Sequence, residues 1–520
     1  MATLIRSAAL AAATLLAVTA AAGCSSGAKD EGAPSKSPTS QEKNGDAEPG
    51  ALPAALTGQQ LDWAGCEAPS VAQGGGDAPG KGWECATMKA PLDHAKPTGE
   101  TIEIALIRKQ ATDKDKRIGS LVYNFGGPGG SGVATLPWAA EEYGDLGERY
   151  DLVSFDPRGV GDTIPVKCLT DKEIDEERAT DEDAPRNASE EKEFLQDDKE
   201  YSETCEQKSG KYLPYVGTKD TARDMDLMRQ VLGDKKLNYF GISYGTELGG
   251  VYAHLFPKNV GRTVFDAVVD PTADTVRSSI DQIKGFQLAL DNYLKSTGQD
   301  PKTGSEKLAR LLDRIEESPL PTDTGRKLTR GGATTGIASL LYAEKYWDWL
   351  TQALDEAEAG TGNQLLSYAD QYLDRDEKGR YSNSTTAMGA IRCADTSERL
   401  TIADAKKHMA EFEAASPVFG RDSAWGLVNC AHWPVKGSTV HPVVSAPGAD
   451  PIVVIGNAGD PATPVAGAKK MAAELGKDVG VNITVQGEGH GTYGVNSCAT
   501  KAVDGYLLDG KVPSDGLTCK

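Results

Sequence analysis

The sequence predicts an α/β protein: a mostly parallel central sheet with helices on both faces, interrupted by an inserted, mainly helical cap. Three observations carry this. Short, nearly continuous apolar runs alternate with helix-like stretches, as expected of strands covered on both sides. One such run, LNYFGI at 237–242, passes through Ser243 directly into the helix-like TELGGVYAHLF. A long helix-rich stretch then separates it from the last two strand-like runs. The 520 residues carry 55 basic and 76 acidic side chains, a formal charge of −21. That balance excludes a nucleic-acid binder, whose affinity rests on clustered Lys and Arg.

Taken in order, residues 1–23 read as an export signal. Arg6 precedes a short apolar run, and Ala21, Ala22 and Gly23 lead into Cys24. The pattern resembles a bacterial lipobox, so Cys24 is the expected lipidation site and the outer membrane face, or secretion, the expected location. Residues 24–58 are mostly Gly, Ser, Pro, Lys, Asp and Glu, and are expected to be a flexible tether. No later apolar run is long enough to span a bilayer. The membrane is thus a partner through a lipid anchor only.

Beyond the tether, strands are expected at 101–108, 119–125, 150–156, 237–242, 263–269, 451–457 and 481–486, and a helix at 218–232. These place one catalytic body at 59–271 and 447–520, with the cap at 272–446. Within the cap, Leu308, Leu311, Leu312 and Ile315 share one apolar face, and Tyr346, Trp349 and Leu350 another. Setting Cys24 aside, eight cysteines remain, an even number in an exported chain. They fall into successive close pairs: Cys66–Cys85, Cys168–Cys205, Cys393–Cys430 and Cys498–Cys519. Zinc is the weaker reading, because there is no CxxC pair. Between Cys168 and Cys205 lie 15 acids and 5 bases, read as a solvated helical excursion stapled at its base.

The chemistry centres on Gly241-Ile242-Ser243-Tyr244-Gly245. A serine at so tight a strand-to-helix turn is displayed above the sheet edge, and the flanking glycines prevent clashes. Its hydroxyl needs a general base. Of six histidines, His490 in GEGHG follows the last strand, and the other five read as surface or cap residues. Asp460 follows the preceding strand in AGDPATP and is the expected carboxylate, with Thr463 steadying its loop and Asp266 and Asp270 as alternatives. The run FGGPGGSG at 125–132 lacks the endings of phosphate-binding loops, so it is read as an oxyanion loop. The expected donors are the backbone N–H groups of Gly127 and Tyr244. Arg158 in DPRGVG reads as a loop organiser. No metal or organic cofactor is expected.

Together these segments resemble the tripeptidyl aminopeptidase branch of the prolyl iminopeptidase-like α/β-hydrolases, exported serine exopeptidases of high-GC Gram-positive bacteria. The resemblance rests on NFGGPGGSG at 124–132, FDPRGVG at 155–161, GISYGT at 241–246, GDPATP at 459–464 and GEGHG at 487–491. Prolyl iminopeptidases usually carry His where Phe125 stands here. The resemblance implies Ser243 as nucleophile, Asp460 as acid and His490 as base. It also implies release of short peptides, often tripeptides, from substrates with a free N-terminus. An ammonium group at that end calls for cap carboxylates, with Asp395, Glu344 and Asp348 as candidates. The competing readings are a carboxylesterase or lipase on the same scaffold and a non-catalytic peptide-binding lipoprotein.

Overall fold

The computed structural model describes residues 51–180 and 184–520; Cys24 and the export signal lie outside them. Among the described residues ten strands form the main sheet, while β8 (Leu320–Pro321) and β9 (Lys327–Leu328) form a separate hairpin in the helical insertion. The ten are β1 (Ala64–Gly65), β2 (Trp83–Pro91), β3 (Thr101–Lys109), β4 (Gly119–Asn124), β5 (Tyr150–Phe155), β6 (Leu237–Ile242), β7 (Val260–Asp266), β10 (Ile452–Gly459), β11 (Gly480–Glu488) and β12 (Leu517–Cys519). They lie in the order β1-β2-β3-β5-β4-β6-β7-β10-β11-β12. From β5 to β12 every pairing is parallel, while β1, β2 and β3 pair antiparallel at one edge.

Parallel strands need a crossover back to the same end, and these crossovers cover both faces. Every residue of β4 and β5 is buried, including the polar Ser120, Asn124, Asp151 and Ser154 within their largely apolar runs. One face packs against helices Thr218–Val231, Tyr244–Leu255 and Ala466–Leu475, and the other against Gly132–Ala139 and Ser497–Asp509. The C-terminal ends of β4, β6, β7, β10 and β11 therefore gather along one edge, where loops meet the long helical segment between β7 and β10. In that segment Leu308, Leu311, Leu312 and Ile315 are all buried on one face of helix Pro301–Glu317.

All four expected disulfides are present, and they suit an oxidising compartment. Several expectations need correction. Residues 51–58, assigned to the tether, pack on the body: Ala54–Thr57 is a helical turn whose Leu56 joins the core. The strand expected at 263–269 runs from Val260 to Asp266, because Ala267 turns to φ 56° and ends the extended backbone. Tyr346, Trp349 and Leu350 do not share a face. Helix Trp347–Glu358 buries Trp347 and Leu350, while Trp349 is 46 % exposed, stacked between Tyr346 and Tyr368.

The acidic excursion is not a free solvated element either. Asp175 accepts two hydrogen bonds from Arg375, at 2.9 and 2.8 Å, and one from Tyr381. Asp198 meets His432 at 2.5 Å, Glu191 meets Lys406 at 2.6 Å, and Phe194 lies edge-on to Trp425. Its acids are thus partly neutralised by bases of the helical insertion. His94, expected at the surface, is buried against Asp224, which also takes both arms of the fully buried Arg158. Arg158 further donates to the carbonyls of Pro91 and Leu92, knitting the loop after β5 to β2. Losing one partner of such a buried pair costs about 3–5 kcal/mol.

Candidate active site

A single residue, Ser243, separates β6 from helix Tyr244–Leu255. It sits at φ 57°, a left-handed conformation that costs a non-glycine residue about 1–3 kcal/mol. The neighbouring glycines make the turn possible. A Cβ at Gly241 would stand 2.4 Å from the Gly245 carbonyl oxygen, and one at Gly245 2.4 Å from that of Asn124. The helix N-terminus beyond favours negative charge.

The glycine loop after β4 leans directly on this turn. At Gly126 (φ 94°) a Cβ would lie 2.8 Å from the Ser243 Cβ and 3.1 Å from the Tyr244 nitrogen. Asp156, fully buried, anchors the loop from below by accepting hydrogen bonds from Ser131 (2.6 Å) and Gln73 (2.8 Å). Burial raises its pKa and these donors oppose that shift. Gly127 and Tyr244 line the same cavity as Ser243. Gly126→Ala should therefore lower the rate per titrated active site by about 100-fold, as loss of an oxyanion donor does. A rate near wild type on a short acyl ester would show that the contact is slack.

Asp460 and His490 meet at the ends of β10 and β11. The imidazole Nδ1 lies 2.8 and 3.0 Å from the two oxygens of Asp460, which is 1 % exposed. The Ala462 and Thr463 N–H groups donate to the same carboxylate, and so does the Thr463 hydroxyl. Burial disfavours the charged imidazole, but the Asp460 charge and hydrogen bond, with a contribution from Asp266, raise its pKa above the ordinary value. The His490 side chain is 12 % exposed.

Of the two alternative acids, Asp270 pairs with Lys470 at 2.6 Å, away from the imidazole. Asp266 has a linking position. Its carbonyl accepts from the Ser243 N–H at 3.1 Å, and its carboxylate accepts from the N–H groups of Thr492 and Tyr493. One buried residue therefore ties the serine turn to the histidine loop. Burial raises its pKa against these hydrogen bonds.

The cavity has a volume of about 1080 Å³. Typical small-molecule sites span about 300–1,000 Å³, so it has room for a peptide segment. Asp395 and Glu247 both line it. Burial pushes Asp395 up to about 7, against hydrogen bonds from Thr218. Glu247 is pushed up to about 8 by burial and by the charge of Asp395, with Arg392 acting in the opposite sense. Glu344 and Asp348 are a correction. Both are exposed at the start of the Trp347 helix and neither lines the cavity, because that helix turns its apolar face inward. Glu247 was missed. Its signal was an acid one turn beyond Ser243, on a helix otherwise apolar up to His254.

The family described as TAP-like protein matches residues 416–519. Over 494 residues the chain is 36 % identical to the serine protease Hip1 of Mycobacterium tuberculosis, covering 89 % of this chain and 91 % of that one. It is 32 % identical to a tripeptidyl aminopeptidase of Streptomyces lividans, over 84 % of this chain and 83 % of the other. It is also 34 % identical to carboxylesterase B of M. tuberculosis, over 84 % and 86 %.

Proposed function

Because the chain belongs to the TAP-like family of α/β-hydrolases and is a serine hydrolase, we propose that it is an exported, lipid-anchored aminopeptidase releasing short peptides, chiefly tripeptides, from free N-termini. In this reading Ser243 attacks the scissile carbonyl while His490 accepts its proton. Asp460 fixes the imidazole tautomer and stabilises the imidazolium. The N–H groups of Tyr244 and Gly127 receive the oxyanion. Collapse of the intermediate transfers the proton from His490 to the departing amine, and water activated by the same imidazole then hydrolyses the acyl-enzyme. The substrate's free ammonium binds Asp395, with Glu247 beside it.

The observation that carries the reading is a pair of half-buried carboxyls, Asp395 and Glu247, on the wall of the cavity that holds Ser243, both raised in pKa by desolvation. Glu247 is four residues along the helix from Ser243, a rise of about 6 Å. Asp395 is reached through the length of the Tyr244 side chain and then Thr218. Since an extended residue spans about 3.3–3.6 Å, these separations suit an acyl part longer than one amino acid. The four disulfides and the Cys24 lipobox support export and anchoring.

A carboxylesterase is the second reading, favoured by the similarity to carboxylesterase B. Tripeptidyl amides with free and N-acetylated termini, assayed beside short acyl esters, separate the two. Free termini should be preferred by about 100-fold in kcat/KM, the effect of leaving a buried charge unpaired. Equal cleavage of blocked and free peptides, with faster ester turnover, would favour the esterase.

A further inference from the structure

Thr218 is the first residue of helix Thr218–Val231, is almost fully buried and lines the cavity. It occupies both oxygens of Asp395: its N–H donates to Oδ1 at 2.7 Å and its hydroxyl to Oδ2 at 2.6 Å. The approach is close enough that a Cβ at Gly217 would stand 2.9 Å from Asp395 Oδ1. The Tyr244 hydroxyl lies 2.5 Å from Thr218 Oγ1. A threonine hydroxyl has one proton. With that proton given to Asp395, the bond from Tyr244 can run only one way, from the phenol to Oγ1. The result is a directed chain, Tyr244 to Thr218 to Asp395. Tyr244 is also the residue whose backbone N–H stands ready at the serine turn.

We propose that Thr218 is a positioning residue that couples the amine end of the substrate to the oxyanion donor at the reacting end. The inference rests on the aminopeptidase reading. A substrate ammonium against Asp395 keeps the carboxylate charged and purely an acceptor, so the chain holds one direction and the Tyr244 ring is clamped at its far end. Without a cation, burial favours the neutral carboxyl, whose own O–H competes for Thr218 Oγ1 and leaves the phenol without a fixed acceptor. The Tyr244 main chain follows a residue with positive φ, where its geometry depends on such outside restraint. Amine binding is thereby converted into turnover as well as affinity, as expected when remote binding energy is used at the reacting centre.

The test compares kcat, per active site titrated with a fluorophosphonate, for a tripeptidyl amide with a free terminus and for its N-acetyl form. Wild type should show a high free-to-blocked kcat ratio. Thr218→Val, which removes the hydroxyl at constant shape, should lower that ratio about tenfold, the effect of one hydrogen bond, and Thr218→Ser should restore it. Tyr244→Phe, which removes only the phenol oxygen, should give the same loss, and the double variant Thr218→Val/Tyr244→Phe no further loss. A ratio retained in Thr218→Val and Tyr244→Phe, or a loss confined to KM, overturns the coupling while leaving the aminopeptidase reading intact. A wild-type kcat ratio near one overturns the coupling, and a kcat/KM ratio near one overturns the aminopeptidase reading as well.

Discussion

Ser243→Ala should reduce turnover by about 10⁶-fold, the scale seen when the serine of a Ser–His–Asp set is removed. The residue is small, the turn tolerates a Cβ already, and the surrounding glycines are untouched, so the fold should survive. The readout is labelling by a fluorophosphonate probe alongside hydrolysis of a free tripeptidyl amide. Wild type should label at one site and the variant not at all. Persistent labelling of the variant would place the nucleophile elsewhere.

Asp460→Asn should lower kcat by about 10⁴-fold, because an amide in that place favours the wrong imidazole tautomer. The pH profile carries a second signature. His490 must be neutral to accept the serine proton, and its pKa is raised, so wild-type activity is lost as pH falls through a value above the ordinary histidine one. In the variant the raising charge of Asp460 is gone while burial, which lowers the pKa, remains, so the residual acid limb should move down. Free-amine substrates add a further condition. Asp395, pushed up to about 7, must be ionised to hold an ammonium. Below that range kcat/KM for free peptides should fall with a slope approaching two in log units, against one for an ester, and a slope of one for both would remove Asp395 from amine binding. The substrate ammonium itself deprotonates above about 7.7–8.0, giving peptides a basic limb that esters lack.

Much of this architecture is legible in the sequence where local chemistry dictates the outcome. LNYFGI is apolar because β6 is buried, and it ends at Ser243 because two glycines allow the turn. The cysteine pairs are close in sequence, and their loops close locally. The edge strands β1 and β12, and β2 next to β1, escaped notice, being short or half-exposed, so that burial imposes little pattern on them. The meeting of Asp460 and His490 was legible for the same reason, since each follows a recognisable strand. Thr218 and the linking place of Asp266 were not, since each depends on contacts between distant segments, whereas Glu247 carried a local signal one turn beyond Ser243 that went unused. Glu344 and Asp348 were misjudged because a one-turn spacing of acids says nothing about which way the helix faces.

The docked acidic excursion bears on how catalytic cycles end. It is stitched to the body by Cys168–Cys205 and held to the helical insertion by Arg375, Lys406 and His432. The roof over Ser243 is therefore moored to an independent pier, and swinging it aside would require several ion pairs to part together. Under that restraint a cleaved fragment is expected to leave with the insertion still docked, which hydrogen exchange at these contacts during turnover would check. Turnover on good substrates would then follow the unbinding of small products, and lengthening the fragment should slow the cycle even where the chemistry is unchanged.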